Sequence, residues 1–151
     1  MNDGPLGGGE AQGAAIVTWS WRITLALVVV LALGVAFSDP LGPAVAAISL
    51  VMFFGGIALM GYAYFVGIGR SRAELVTVQG LFLLQGSAPR GVRVGLLWSF
   101  TVQCAVAIIA ASLRLYTLIA FGVLAPAIGL GLAGLWGAKY GVFERRDDAR
   151  P

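Results

Sequence analysis

Residues 40–69, PLGPAVAAISLVMFFGGIALMGYAYFVGIG, form a run of thirty residues without a single charged side chain. A transmembrane helix needs about 20 consecutive apolar residues to cross the hydrocarbon core of a bilayer, so this run is long enough to span one. The chain of 151 residues continues the pattern, with 59% hydrophobic and 11% charged residues. An ordinary soluble domain has about 25% charged residues. The composition therefore predicts an integral membrane protein.

Three further charge-free runs accompany the first, and together they predict four transmembrane spans. The first predicted span begins before its charge-free run and therefore includes Arg22. Arg22 is compatible with a span, because an Arg near a helix end can extend its guanidinium to the lipid headgroups. Every backbone polar group must be paired inside lipid, and the runs lack the alternation of a barrel strand, so the predicted fold class is all-α and polytopic. The additional runs are Ile23–Ser38, Val94–Leu113 and Leu115–Ala138, and the spans are placed near residues 16–37, 44–67, 94–113 and 116–137.

The first span has an alternative interpretation as a signal peptide. Arg22 would then be its basic region, Ile23–Leu33 its apolar region and Gly34-Val35-Ala36 its cleavage site. The lead before Arg22 is long and contains Asp3 and Glu10. A retained first span is therefore favoured.

Basic residues gather on one side of the predicted spans. With four spans, both termini and the middle loop share a side that carries nine of the ten basic residues, whereas Arg114 alone lies on the other side. The positive-inside rule predicts that both termini are cytoplasmic, in the plasma membrane of a bacterium. The tryptophans agree, because all four fall near the cytoplasmic ends, where indole rings prefer the interface: Trp19, Trp21, Trp98 and Trp136.

The sequence outside the spans is short. The transmembrane domain is predicted over residues 15–138. Residues 1–14 are glycine-rich and predicted to be a disordered cytoplasmic tail, and residues 139–151 form a basic cytoplasmic tail. The first external loop, 38–43, is predicted to be a tight turn in which Asp39 caps the second helix ahead of Pro40.

The cytoplasmic segment between spans two and three is the longest loop. Ser71-Arg72-Ala73-Glu74 fits a capping box and Gly86 fits a C-cap, which predicts a short interfacial or re-entrant helix near residues 72–85. A hairpin of Leu75–Val78 with Leu81–Leu84 is a less favoured alternative, because Gln-Gly is not a preferred two-residue turn. Four arginines flank the segment and either set the topology or bind anionic lipid headgroups: Arg70, Arg72, Arg90 and Arg93.

The sequence offers little catalytic chemistry. The chain has no His, its single cysteine Cys104 can form no intramolecular disulfide, and all seven acidic residues fall in predicted tails or loops. Without a base, a metal-ligand cluster or a deep carboxylate, we predict a protein that is not an enzyme and has no cofactor. A proton-coupled exporter is disfavoured, because it needs an intramembrane proton carrier. The scattered basic residues also argue against nucleic-acid binding.

Gln103 is the most polar side chain deep inside a predicted span. It shares one helix face with Ser99, Ala107 and Ala111 at a spacing of four residues. We therefore place it against neighbouring helices, where an interhelical hydrogen bond contributes about 0.6–2 kcal/mol. A substrate or partner contact in a cavity is the alternative, disfavoured because no second polar group is evident nearby.

The fourth span carries a ridge of small residues at every fourth position, Ala125, Gly129, Ala133 and Gly137. Such a small-xxx-small pattern lets another helix approach closely. The approaching helix belongs either to this chain or to a partner, and the ridge is the candidate partner face. Pro126 is expected to kink or loosen the first half of the span.

The stretch Phe121–Gly141, FGVLAPAIGLGLAGLWGAKYG, follows the turn at Gly86–Arg90. It resembles the last span of small four-helix membrane proteins of actinobacteria, in which a glycine-rich helix ends near Leu-Trp-Gly and leads into a short basic tail. The resemblance implies a plasma-membrane location and carries no activity with it.

Three functional hypotheses follow. The first is a non-enzymatic accessory or assembly subunit that packs on a larger membrane-protein partner in the lipid bilayer through the ridge of span four. The alternative is a small homo-oligomeric transporter or channel, with Ser99, Thr101 and Gln103 lining its path. A weaker third hypothesis is a membrane enzyme that holds a lipid headgroup with cytoplasmic arginines.

Overall fold

The computed structural model of the protein describes residues 6–145, and their side chains from residue 13 onward. Four stretches in this range are long and apolar enough to cross a membrane, Gly13–Ala36, Ser38–Arg70, Arg90–Leu113 and Leu118–Tyr140. The predicted all-α class with four spans is confirmed, and the protein is a multi-pass membrane protein. The helices are α1 (Leu6–Ala36), α2 (Ser38–Arg70), α3 (Val78–Phe82), α4 (Arg90–Leu113), a 3₁₀ segment (Leu118–Leu124) and α5 (Ala127–Tyr140).

The fourth span, made of the 3₁₀ segment and α5, is the central element of the bundle. Half of its most apolar window is buried inside the protein, against 22–28% for the other three spans. α2 packs along one side of the fourth span, while α1 and α4 pack on each other and cover another side. The expected irregularity at Pro126 is present, because the chain changes there from a 3₁₀ helix to an α-helix.

Glycines set the distance between α2 and α5. A Cβ atom at Gly56 would overlap the backbone of Ala127, and one at Gly131 would lie 2.7 Å from the carbonyl oxygen of Gly56. Neither position has room for a side chain, so the two backbones approach as closely as small residues allow. Gly61, further along α2, faces open space instead.

α1 and α2 are joined through Phe37 alone. The dihedral angles of Phe37, φ −127° and ψ 58°, break the helix, and its carbonyl oxygen then accepts from the amide of Leu41. The predicted turn at 38–43 is therefore wrong, because these residues already form the beginning of α2. Asp39 lies in the first turn without capping it. Pro40 is tolerated there, since the first amides of a helix have no intrahelical partner.

The start of α1 differs from the predicted disordered tail. α1 begins at Leu6, so residues 6–14 of that tail are helical. Residues 1–5 of that tail and residues 146–151 of the basic tail lie outside the described residues. A Cβ atom on Gly13 would lie 3.1 Å from Trp136 Nε1. This contact gives α1 a partner in the bundle that composition alone does not reveal.

Trp136 departs from the predicted belt of interfacial tryptophans. Its side chain is buried with Leu84, Leu96 and Ala133. The other three tryptophans face outward from the bundle, and their position at the cytoplasmic interface stays a prediction: Trp19, Trp21 and Trp98.

The loop between α2 and α4 packs against the end of α5. Its helix α3 covers five residues, far fewer than the predicted 72–85, and Thr77 caps it by accepting from the amide of Gly80 at 3.0 Å. Leu81 is buried, and its carbonyl oxygen occupies the space that a side chain at Gly137 would need. α3 therefore rests on protein, which leaves it less lipid contact than the predicted interfacial helix.

The predicted capping box does not form. The hydroxyl of Ser71 donates to the carbonyl oxygen of Ile68, one turn back in α2. The carboxylate of Glu74 pairs with Arg70 at 2.7 Å instead of returning to an amide. The carboxylate of Glu74, which a capping box needs as a hydrogen-bond acceptor, is therefore used by the ion pair with Arg70.

The chain after α5 runs back along this loop. The amide of Leu75 donates to the carbonyl oxygen of Glu144 at 2.8 Å, and the amide of Val142 donates to that of Ser87 at 2.9 Å. Glu74 and Arg145 form an isolated antiparallel bridge. The alternative hairpin within the loop is therefore wrong, because its first segment pairs with the C-terminal segment.

Candidate functional site

Four buried hydroxyl and amide side chains, which we call the polar cluster, join α1 to α4. Ser20 and Thr24 lie one turn apart on α1, and Ser99 and Gln103 lie one turn apart on α4. All four are at most 2% exposed. The spacing of four residues puts each pair on a single helix face, so the two faces meet along two turns.

The donor and the acceptor of each hydrogen bond in the polar cluster follow from the Thr24 hydroxyl. Thr24 Oγ1 donates to the carbonyl oxygen of Ser20 at 2.9 Å. Since that proton is used, Ser99 Oγ donates to Thr24 Oγ1 at 2.8 Å, and Ser20 Oγ donates to Ser99 Oγ at 2.6 Å. Gln103 Nε2 adds a bond to Thr24 Oγ1 at 2.7 Å and a longer one to Ser99 Oγ at 3.5 Å. All hydroxyl and amide protons of the cluster are therefore paired.

The amide oxygen of Gln103 is the remaining polar side-chain atom of the cluster, and it faces α5. Gln103 Oε1 is buried and has no hydrogen-bond partner among the described residues. A Cβ atom at Gly129 would lie 2.6 Å from it. The oxygen therefore packs against the backbone of α5, a position at which weak Cα–H···O contacts between helices occur. Gln103 and Gly129, predicted as separate sites, lie together.

The expectation that no second polar group lies near Gln103 is wrong. Ser20 and Thr24 supply two, and their spacing of four residues in the first span is the sequence signal that indicates a shared face. Thr101, the third residue of the predicted transport path, faces outward and donates to the carbonyl oxygen of Leu97 in its own helix. Thr101 therefore lies on a different face of α4 from the buried side chains of Ser99 and Gln103.

The small-residue ridge of the fourth span packs inside the chain. Gly129 lies against Gln103, as described, and Gly137 against Leu81. Ala125 and Ala133 are fully buried in two separate apolar clusters. Of the two predicted uses of the ridge, internal packing is the one observed, and the ridge presents no free face to a partner.

Arg70 has a structural role at the end of α5. Its guanidinium donates to the carbonyl oxygens of Ala138 and Gly141 at 3.0 and 2.8 Å, pairs with Glu74, and lies 5.0 Å from the ring centre of Phe143. The last carbonyls of a helix lack intrahelical donors, and Arg70 supplies them. This arginine therefore caps α5, a role that its flanking position did not indicate.

The other flanking arginines are more open. Arg72 and Arg90 are exposed, and Arg93 is half-buried. At the opposite end of the bundle, Arg114 donates twice to the carbonyl oxygen of Val35, at 2.8 and 3.1 Å. The end of α1 is thus held by an arginine as the end of α5 is.

An apolar crevice of about 300 Å³ lies between α2 and α4. It exists because α2 and α4 do not pack closely on each other and both flank the fourth span, whose residues around Pro126 form the floor. Cys104, half-buried, lies on its α4 wall. The main lining residues are Phe53 and Met60 of α2, Phe100, Cys104 and Ile108 of α4, and Pro126, Ala127 and Leu130 below them.

No protein family, curated protein or solved structure matches this chain. The resemblance to four-helix membrane proteins of actinobacteria therefore stays a prediction.

Proposed function

We propose that the protein is a non-enzymatic accessory or assembly subunit, which receives a transmembrane helix of a partner protein in the crevice between α2 and α4. The crevice is the observation that carries this proposal. The polar cluster and the small-residue ridge are both used within the chain, whereas the crevice is concave, apolar and open at the side of the bundle.

The length of the crevice suits the side chains on one face of a helix. Its walls extend from Phe53 to Met60 on α2 and from Phe100 to Ile108 on α4. Seven to eight residues correspond to about 11 Å, or two helical turns. Two turns of a partner helix therefore place at least two apolar side chains along the lining. Association of this kind depends on close packing, because lipid offers no hydrophobic driving force between helices.

The proposal places the protein in a bacterial plasma membrane with both termini in the cytoplasm. The distribution of cations supports this orientation, since Arg114 alone lies at the opposite end. At the proposed cytoplasmic end, Lys139 lies 5.9 Å from the ring centre of Tyr62, an aromatic pairing typical of the membrane interface.

Filling the crevice tests the proposal. We expect Cys104→Phe to block the partner helix, because the larger ring enters the lined space, and to reduce the mass of the particle isolated in mild detergent from the native membrane at native expression level. Ala105→Phe is the matched control. Ala105 is the next residue of α4 and faces outward. This variant should therefore give a particle of wild-type mass, in which the partner protein is present in fixed stoichiometry.

Two results would contradict the proposal. A heteromeric particle of unchanged mass in Cys104→Phe would exclude the crevice as the docking surface. A wild-type particle made only of copies of this chain would reject the accessory subunit and favour the homo-oligomeric alternative. Equal thermal unfolding temperatures for the two variants and the wild type would show that the comparison concerns assembly and not folding.

A further inference from the structure

Arg22 is a cation in the middle of α1 without an anionic partner. Its side chain is exposed and makes no hydrogen bond or ion pair with any described side chain. Its guanidinium carbon lies 5.4 Å from the ring centre of Trp19. A charge at the lipid-facing surface of a span is costly unless it is paired. No described side chain pairs with this arginine, so an anionic counterion from the lipid would stabilise it.

The helix register places Arg22 deeper than the neighbouring arginine of α4. α1 and α4 run parallel, since Ser20 bonds to Ser99 and Thr24 bonds to Gln103. Arg22 follows Ser20 by two residues, whereas Arg93 precedes Ser99 by six. At 1.5 Å per residue, the Cα atom of Arg22 lies about 12 Å further along the bundle than that of Arg93.

The side chain of Arg22 turns back toward the basic end of the bundle. Trp19 is one turn before Arg22, so a guanidinium above its ring points toward the N-terminus of α1. A long basic side chain that places its charge nearer the headgroups while its stem stays in lipid is behaving as snorkelling predicts. The indole covers one face of the guanidinium, and the N–H groups at its edge remain available.

A shallow, open groove on one face of α1 adjoins the guanidinium, lined by Val17, Thr18, Trp21, Arg22 and Leu25. Its polar end contains the Arg22 charge, and Leu25 continues it toward the centre of the span. The Thr18 hydroxyl donates to the carbonyl oxygen of Ala14, so the Trp21 indole N–H and the Arg22 guanidinium are the donors left for a ligand, and Arg22 is the charged one. A charge followed by an apolar groove matches an amphiphile with an anionic head.

We propose that this groove is a binding site for an anionic phospholipid of the bilayer, whose phosphate pairs with the edge of the Arg22 guanidinium and whose acyl chain lies along Leu25. A guanidinium offers two parallel N–H donors to phosphate oxygens. The site is independent of the crevice, which lies between α2 and α4, so either proposal can fail without the other.

Lipid titration followed by native mass spectrometry tests the site. The purified protein is titrated in detergent with dioleoyl phosphatidylglycerol, and with dioleoyl phosphatidylcholine for comparison. We expect Arg22→Gln to bind phosphatidylglycerol about fivefold more weakly than the wild type, as the loss of one cation near the headgroups implies. Arg22→Lys, which keeps the charge without the paired donors, should fall between them.

Arg145→Gln is the matched control, because Arg145 is an exposed arginine that lies outside the groove and outside the four arginines flanking the loop between α2 and α4. It should bind phosphatidylglycerol as the wild type does. Equal binding by Arg22→Gln and the wild type would overturn the proposal. An equal loss in Arg145→Gln would overturn it too, because the attraction would then reflect net charge. If Arg22→Gln fails to fold, Arg22→Lys still tests the site, because it keeps the charge and lacks only the paired donors.

Discussion

Gln103 shows how one amide connects three membrane-spanning elements. Its nitrogen reaches Thr24 of α1, while its oxygen packs at Gly129 of the fourth span. The amide is fully buried, so its partners in the folded protein are protein groups, with Ser99 of α4 as a longer hydrogen-bond acceptor. We infer that its contribution is to the register of α1 and α4, since the hydrogen bonds pair particular turns of the two helices.

A double-mutant cycle measures this contribution. Gln103→Leu and Thr24→Val should each destabilise the bundle, and their coupling energy should be about 0.6–1.7 kcal/mol, the range found for hydrogen bonds between transmembrane helices. Unfolding by sodium dodecyl sulfate from mixed micelles gives the required free energies of unfolding. A coupling energy of zero would contradict the Gln103–Thr24 bond.

Thr101→Val is the control for this cycle. The Thr101 hydroxyl faces outward and bonds only to its own helix, at Leu97. Combined with Gln103→Leu, it should give an additive result, because the two residues share no partner.

At the scale of the helices, glycine decides which faces meet. α2 is long and only six of its 33 residues are buried, yet its contact with α5 is close, because Gly56 and Gly131 carry no side chains at the crossing. Nearby, Ala63 and Gly134 continue the interface. The position of each glycine relative to α5, more than the number of glycines, therefore determines the packing of α2.

The pair Gly56 and Gly61 tests this point within a single helix. Gly56→Ala should cost about 1–3 kcal/mol or more, because the new methyl group meets backbone that cannot rotate away. Gly61→Ala should be neutral or stabilise by about 0.4–1 kcal/mol, because the site is open and alanine restricts the unfolded chain. Free energies of unfolding in detergent provide the comparison, and equal effects at both positions would refute the close crossing.

The helices themselves could be predicted from the sequence, whereas their neighbours could not. The charge-free runs located all four spans, because the thickness of a bilayer imposes a length that composition shows directly. The faces of Gln103 and the ridge were also evident from spacing. That Gln103 meets Gly129 was not, since spacing within one helix does not say which other helix lies opposite.

Local capping patterns were less reliable. Ser71 and Glu74 matched a capping box, but Arg70 offered Glu74 a stronger partner. Asp39 and Pro40 matched a helix start, but α2 begins one residue earlier, at Ser38, because Phe37 alone forms the break between α1 and α2. In both cases a contact from the preceding residues determined the outcome.

At the scale of the whole molecule, both ends of the bundle are fastened by arginines. Arg70 joins α2 to the end of α5, and Arg114 joins the chain after α4 to the end of α1. Each guanidinium donates to carbonyl oxygens at a helix end, where donors are lacking. These arginines therefore hold helices together in addition to any effect on topology.

Cysteine labelling tests the proposed orientation. In a Cys104→Ala background, Tyr116→Cys and Val142→Cys place thiols at exposed positions on opposite ends of the bundle. We expect a membrane-impermeant maleimide to label Tyr116→Cys in intact cells, because that end is external if both termini are cytoplasmic.

Val142→Cys should react only after the cells are permeabilised, which also provides the control that its thiol is accessible. Labelling of Val142→Cys in intact cells, with protection of Tyr116→Cys, would reverse the orientation.

The central position of the fourth span has a consequence for biosynthesis. α1 and α4 pack on each other, but α2 packs mainly on the fourth span. Seventy residues separate the end of α2 at Arg70 from the end of α5 at Tyr140, and a ribosome working at roughly 5–20 residues per second needs roughly 4–14 s to add them. During that interval α2 resides in the membrane with its glycine face against lipid. A ribosome that stalls between Leu113 and Tyr140 therefore leaves α2 in the bilayer without the span on which it mainly packs, and we expect such a nascent chain to be a substrate for membrane quality control.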